Sequence, residues 1–247
     1  MPRRCRSIPC SSTARALPAP ASDRQQPIVR RKAPTKEESA LLPPFAALPD
    51  SAIHTPSTDE AFARAREALL NAQVLGFDTE SKPLFQVGAK DTGPHLVQFA
   101  TTTEAWLLQM RHPQAFAITR EVLGNARITK AGFGLDNDRH QLQGRLQVEM
   151  QNVIDLDRIF KRHGFGASTG VRAAIAMVLV QSLRKSKKVT TSNWSNERLT
   201  ESQIRYAAND AHAPAMVFAH LAAWEATQPP VQEQRRREPR EPSATTP

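Results

Sequence analysis

Along residues 57–227 apolar positions recur first at helical spacing, then in short β-rich runs, then at helical spacing again. In AFARAREALL, Phe62, Ala65, Ala68 and Leu69 share one helical face, and Ser57 with Glu60 forms a capping box ahead of them. VLGFDTE (74–80) is a short strand that ends in polar residues. After a loop holding Lys82, Pro83, Gly88, Gly93 and Pro94, HLVQFAT and AWLLQM are two strands in hairpin proximity. PQAFAITREVLG predicts a helix stopped by Gly124, ARITKAGF a strand, LDNDRHQLQG a helix and NVIDL a strand. Asp155 or Asp157 is placed to cap the brief helix LDRIF. TGVRAAIAMVLVQSL (169–183) predicts one strongly apolar helix, and RKSKKVTTSNWSNER a basic, turn-like stretch. A second capping box, Thr200 with Gln203, opens a last helix running toward Trp224. Strands early, with helices interleaved and then dominant, describe an α/β or α+β domain around a mixed sheet.

That domain spans residues 51–227. Residues 1–50 are rich in Pro, Arg, Ser and Ala without periodicity and read as a disordered basic arm, and 228–247 read as a disordered tail. Charge follows the same division. The net +9 arises mostly from residues 1–36, with nine Lys/Arg against one acid, while residues 37–230 are neutral. The high pI therefore does not by itself make the folded part a nucleic-acid binder. Both cysteines, Cys5 and Cys10, lie in the arm, so the domain has no disulfide and suits a reducing compartment. No apolar run is long enough to span a membrane. A bacterial-type cytoplasmic location is expected, with organelle targeting by the Arg-rich, acid-poor arm as the alternative.

The polar ends of these elements carry the candidate chemistry. On a strand, Asp78 and Glu80 point to one face, and two adjacent carboxylates at a sheet edge call for a hard cation with oxygen ligands. D-x-E alone also suits a solvated strand end. Tyr206 and Asp210 lie one helical turn apart on one face, among Ala207, Ala208, Ala211, Ala213 and Ala215, small residues that allow close approach to a sheet. Asp138 lies near the start of a helix after Gly134, with Asp136 the better capping residue. A dinucleotide reading of GFGLDN fails because Asn137 stands where the third glycine belongs. The seven histidines show no paired metal-ligand spacing, and His140 and His212 read as neighbours of the acidic segments.

FDTE, KAGFGLDNDRHQL and SNWS followed by LTESQIRYAANDAHA closely resemble, in this order, the DEDD superfamily of 3′–5′ exonucleases. The Y-x-x-x-D spacing of Tyr206 and Asp210 matches its tyrosine (DEDDy) group, and the likeness is strongest to ribonuclease D-like and Werner-syndrome-type exonuclease domains. The resemblance implies a ribonuclease H-like fold, a mixed β-sheet flanked by helices, and a site for two Mg²⁺ or Mn²⁺ ions. Asp78, Glu80 and Asp210 would ligate one ion with Asp78 bridging, Asp138 would hold the second, and Tyr206 would orient the attacking water. The implied products are nucleoside 5′-monophosphates released from single-stranded or recessed 3′ ends, with DNA favoured over RNA. Arg184, Lys185, Lys187, Lys188 and Arg205 are placed to meet substrate phosphates. Relatives often carry an aromatic directly after D-x-E. Here that position is Ser81, and Phe85 is the substitute candidate for stacking on a base. The alternative from another class is a catalytically inactive nucleic-acid or protein-binding module on the same fold.

Overall fold

The computed structural model describes residues 31–83, 92–166 and 169–229. In chain order the elements are α1 (Lys36–Ala40), β1 (Ile53–His54), α2 (Asp59–Asn71), β2 (Val74–Glu80), β3 (Leu96–Ala100), β4 (Ala105–Gln109), α3 (Pro113–Gly124) and β5 (Thr129–Gly132). There follow α4 (Asp136–Leu146), β6 (Val153–Asp155), α5 (Leu156–Arg162), α6 (Gly170–Val178), α7 (Lys187–Thr190) and α8 (Glu201–Ala226). The six strands form one sheet in the order β1-β4-β3-β2-β5-β6. β3 pairs antiparallel with β2 on one side and β4 on the other, whereas β5 joins β2, β6 joins β5 and β1 joins β4 in parallel. The expected mixed sheet flanked by helices is what the chain builds.

Strand alternation sorts the two faces. Leu75 and Phe77 of β2, Val97 and Phe99 of β3 and Leu108 of β4 meet Phe62 and Leu69 of α2 and Ile118 and Val122 of α3. On the other face Leu96, Ala100 and Leu107 meet Ala207, Ala208 and Ala211 of α8. The second half of α8, with Val217, Leu221 and Trp224, packs instead on Phe160 and Ile175. The alanine-rich start of α8 thus lies flat on the sheet.

Several expected boundaries move, each for a local reason. The cap of α2 is Thr58, whose hydroxyl accepts from the Ala61 amide, in place of Ser57. The Thr200–Gln203 box forms as expected, and Asp155 caps α5. Helix α6 ends at Val178, five residues short of the apolar run. Val180 then takes a left-handed φ of 55°, and Ser182 runs beside Pro44 in a parallel bridge. There the Ser182 amide donates to Pro43 at 2.7 Å and the Phe45 amide to Ser182 at 3.0 Å. These bonds replace the helical ones. The stretch read as turn-like contains the short helix α7. α8 continues through Pro214 as one element of 26 residues.

Residues 31–50, assigned from composition to a disordered arm, are packed on the domain. Phe45 is buried in the cluster that contains Phe160 and Trp224, with its ring 5.3 Å from that of His212. The Arg31 amide donates to Gly164 at 2.9 Å, and its guanidinium lies 4.3 Å from the Phe165 ring centre. A proline-rich stretch shows no periodicity, yet single apolar side chains and a few backbone bonds dock it. Deleting residues 1–50, or making Phe45→Ala, is therefore expected to cost about 3 kcal/mol. For a domain of this size that lowers Tm by about 6–12 °C. An unchanged calorimetric Tm would show that the segment only rests on the surface.

Lys130 of β5 is 0% exposed, and its Nζ donates to the Asn125 carbonyl at 2.8 Å. Burial lowers its pKa to about 8. The unfolded chain, with an ordinary lysine near 10.5, then binds more protons than the folded one between these values, so stability rises with pH across that window. The full swing is on the order of 3 kcal/mol at most. Urea titrations at pH 7.5 and 10 should show this rise relative to Lys130→Met; parallel pH profiles for the two proteins would contradict it.

Candidate active site

Two of the elements that carry the acidic residues, β2 and α8, are brought together by one glycine. Gly76 lies two residues before Asp78 and on the same face of β2. A Cβ at Gly76 would overlap the carbonyl oxygen of Ala211 and stand 2.7 Å from the amide nitrogen of Ala215. The helix backbone therefore sits directly on the strand. Ala211 follows Asp210, so this contact sets Asp210 beside the end of β2 that bears Asp78 and Glu80.

Asp78 and Asp210 line one cavity of about 490 Å³, together with Phe77, Phe133, Gly134 and Lys185. Its far wall includes Thr35 and Lys36 of the N-terminal segment. Lys185 Nζ is 2.9 Å from Asp210 Oδ1, with side-chain exposures of 27% and 2%. The same ammonium is 5.6 Å from the centre of the Tyr206 ring. Burial works against the charge on Lys185, but Asp210, Asp78 and Tyr206 outweigh it and hold the ammonium above the usual lysine range. Burial pushes the Asp210 carboxyl up, opposed by Lys185 and the Tyr206 hydroxyl. The Tyr206 phenol is pushed up to about 12, by burial first and then by the Asp210 charge, with a smaller push from Glu80. Glu80 and Asp210 thus both act on Tyr206, whose hydroxyl shares a 2.8 Å hydrogen bond with Thr190. Trp194 is buried with its ring 5.9 Å from that of Tyr206, and it donates to the Thr190 carbonyl at 3.3 Å, a packing role.

Asp138 lies in the first turn of α4, and its side chain is outside the described residues, as is that of His140. The turn that launches α4 is fixed by Asp155. Its carboxylate accepts from the amides of Gly134 (3.2 Å), Leu135 (3.3 Å) and Asp157 (3.0 Å). One side chain ties the ends of β5 and β6 together and so sets where the helix that carries Asp138 begins. Phe85 also falls outside the described residues. Arg205 is engaged elsewhere, in a bidentate pair with Asp50 at 2.8 and 2.7 Å on the surface. Arg184, Lys187 and Lys188 are exposed beside the site. His212 is buried under Phe45, and its Nε2–H donates to the Thr102 carbonyl at 3.2 Å, so it stands as a neighbour.

Two further residues, Gly76 and Gln98, were not singled out from the sequence, and Asp155 reads there only as a helix cap. Gly76 and Asp155 position the acids. Gln98 pairs with Asp78 across β2 and β3, is 0% exposed, and has both side-chain amide atoms without a hydrogen-bond partner among the described residues. A glycine two positions before an acidic strand end, facing an alanine-rich helix, was the legible signal for the first. Nothing in the sequence distinguishes Gln98.

The donor set suits a hard divalent cation. It consists of carboxylate oxygens, with a buried side-chain amide next to Asp78 that has no partner among the described residues, and an ammonium already paired with Asp210 in the same cavity. Among the described residues no three His, Cys, Asp or Glu side chains stand as a preformed cage. In this structure the Asp210 charge is met by Lys185.

Residues 53–223 match the 3′–5′ exonuclease family. The chain is 26% identical over 183 residues to the bifunctional 3′–5′ exonuclease/ATP-dependent helicase WRN of Mus musculus, a match that covers 72% of this chain and 13% of that protein. Among solved structures, the EXO domain of Aedes aegypti Nibbler superposes with a TM-score of 0.63 at 19% identity, covering 72% of this chain and 91% of that one. RNase D of Escherichia coli, described as an exoribonuclease involved in structured RNA processing, superposes at 0.59 with 21% identity, covering 70% and 45%. These likenesses bear out the ribonuclease H-like fold.

Proposed function

Because this chain belongs to the 3′–5′ exonuclease family, we propose that it removes nucleoside 5′-monophosphates one at a time from nucleic-acid 3′ ends. The carrying observation is that Asp78 and Asp210, from opposite ends of the domain, line one cavity together with Lys185, whose ammonium pairs with Asp210. Asp78, Glu80 and Asp210, with Asp138, would hold two Mg²⁺ or Mn²⁺ ions, which supply charge stabilisation at the attacking and leaving oxygens of the phosphodiester. Tyr206 stays a neutral phenol at physiological pH, because its pKa is near 12. Thr190 anchors its hydroxyl, so it can orient an attacking water by hydrogen bonding without competing as a base. Lys187 and Lys188, exposed on α7, and Arg184 beside it are placed to meet backbone phosphates. The catalytic unit takes in Thr35 and Lys36, since both wall the cavity.

The choice of polymer is open to direct measurement. The expected lean toward DNA gains no support from the structural neighbours, which include ribonucleases. DNA and RNA oligonucleotides, single-stranded and recessed, labelled at the 5′ or the 3′ end, separate the readings when incubated with Mg²⁺, with Mn²⁺ or with chelator. A 5′-labelled ladder shortening from the 3′ end, lost with chelator, is expected. Internal cuts would refute the directionality. Binding without cleavage under every metal would identify the inactive module.

A further inference from the structure

We infer that Lys185 is a built-in cation that holds the carboxylate site together before metal arrives, and that it must leave Asp210 for a metal ion to bind there. The inference rests on the metal-dependent reading above and adds a residue-level competitor to it. The Asp210 side chain is 2% exposed and its Oδ1 is 2.9 Å from Lys185 Nζ. A carboxylate this deep needs a cation or a proton, and the ammonium supplies the charge. A divalent ion bonds a carboxylate oxygen at roughly 2.0–2.1 Å. It could not share that oxygen with an ammonium without strong repulsion between the two cations. One of them has to go.

The surroundings make the lysine the mobile partner. Its backbone is anchored, because Ser182 is bonded on both sides to the 43–45 segment. Its four-carbon stem is flexible and borders the 490 Å³ cavity, which gives the ammonium somewhere to swing. Lys187 and Lys188, two and three residues on, are exposed and have no such engagement with Asp210. Displaced from Asp210, the Lys185 ammonium remains at the cavity, where a substrate phosphate would be its next partner. Metal entry and substrate binding would then be coupled through one side chain.

The test is metal binding by the full chain without substrate. Mn²⁺ is titrated calorimetrically into the wild type, Lys185→Met and Lys185→Arg. Lys185→Met should bind Mn²⁺ about tenfold tighter or more, because the competitor is gone, whereas Lys185→Arg should stay close to the wild type. Equal or weaker binding by Lys185→Met overturns the inference while leaving the metal site intact. No Mn²⁺ binding by the wild type overturns both. Should Lys185→Met fail to fold, the wild type alone decides. Limited acylation read by peptide mass spectrometry should modify Lys185 faster with saturating Mn²⁺ than without, and Lys130 should serve as the unchanged buried control. Equal Lys185 rates overturn the inference.

Discussion

Asp210→Asn is expected to lower hydrolysis about a thousandfold or more while retaining the fold. Asparagine keeps the shape of the side chain and removes only its charge. That charge is one side of the proposed cation site, and loss of several kcal/mol of transition-state stabilisation corresponds to about this factor. The substitution also strands Lys185, whose ammonium loses its 2.9 Å partner. Removing one member of a buried pair is costly, and with the lysine partly exposed about 2–3 kcal/mol is expected. Asp78→Asn should match it in activity and cost less stability, since Lys185 keeps Asp210. Single-turnover release of a labelled mononucleotide gives the rates and urea titration the stabilities. An Asp210→Asn protein within tenfold of wild-type activity would end the assignment.

Gly76→Ala is expected to damage both stability and turnover, although the residue touches no substrate. Its added methyl would overlap the Ala211 carbonyl and crowd the Ala215 amide. Because the obstacle is backbone, α8 must lift from β2. Overpacking of this kind costs about 1–3 kcal/mol, occasionally more. Lifting α8 moves Asp210 relative to Asp78, and a displacement near 1 Å in a reacting constellation can cost about a hundredfold in rate. Ala211→Gly should not rescue the variant, since it leaves the carbonyl in place. Rescue, or full activity in Gly76→Ala alone, would show that the helix and strand are not held in register by this contact.

Much of this arrangement was legible because local rules and tertiary packing agreed. The Thr200–Gln203 box starts α8 where the sequence places it, and the small residues around Tyr206 and Asp210 mark the face laid on the sheet. D-x-E at a strand end, with an acid one turn after a tyrosine, singled out Asp78 and Asp210, which line the cavity. The misread parts are those where distant backbone decides. The apolar run 169–183 looks like one helix, but Ser182 finds bonding partners at Pro43 and Phe45, and the helix yields. That same departure carries Lys185 inward, away from the exposed basic run to which it seemed to belong. A charge run reveals how many cations are present and not which one turns in. Phe45 was lost in a stretch whose composition signals disorder, since a single docking side chain leaves no period to detect.

Pro214 stands one turn beyond Asp210 and borders the same cavity. Lacking an N–H, it cannot donate to the main-chain oxygen of Asp210, the acceptor four residues earlier. The longest helix therefore drops one rung of its ladder at the level of its key acid. Gly76 grips the chain just past that level, at the Ala211 carbonyl and the Ala215 amide. The oxygen left without that donor belongs to the same residue whose carboxylate pairs with Lys185.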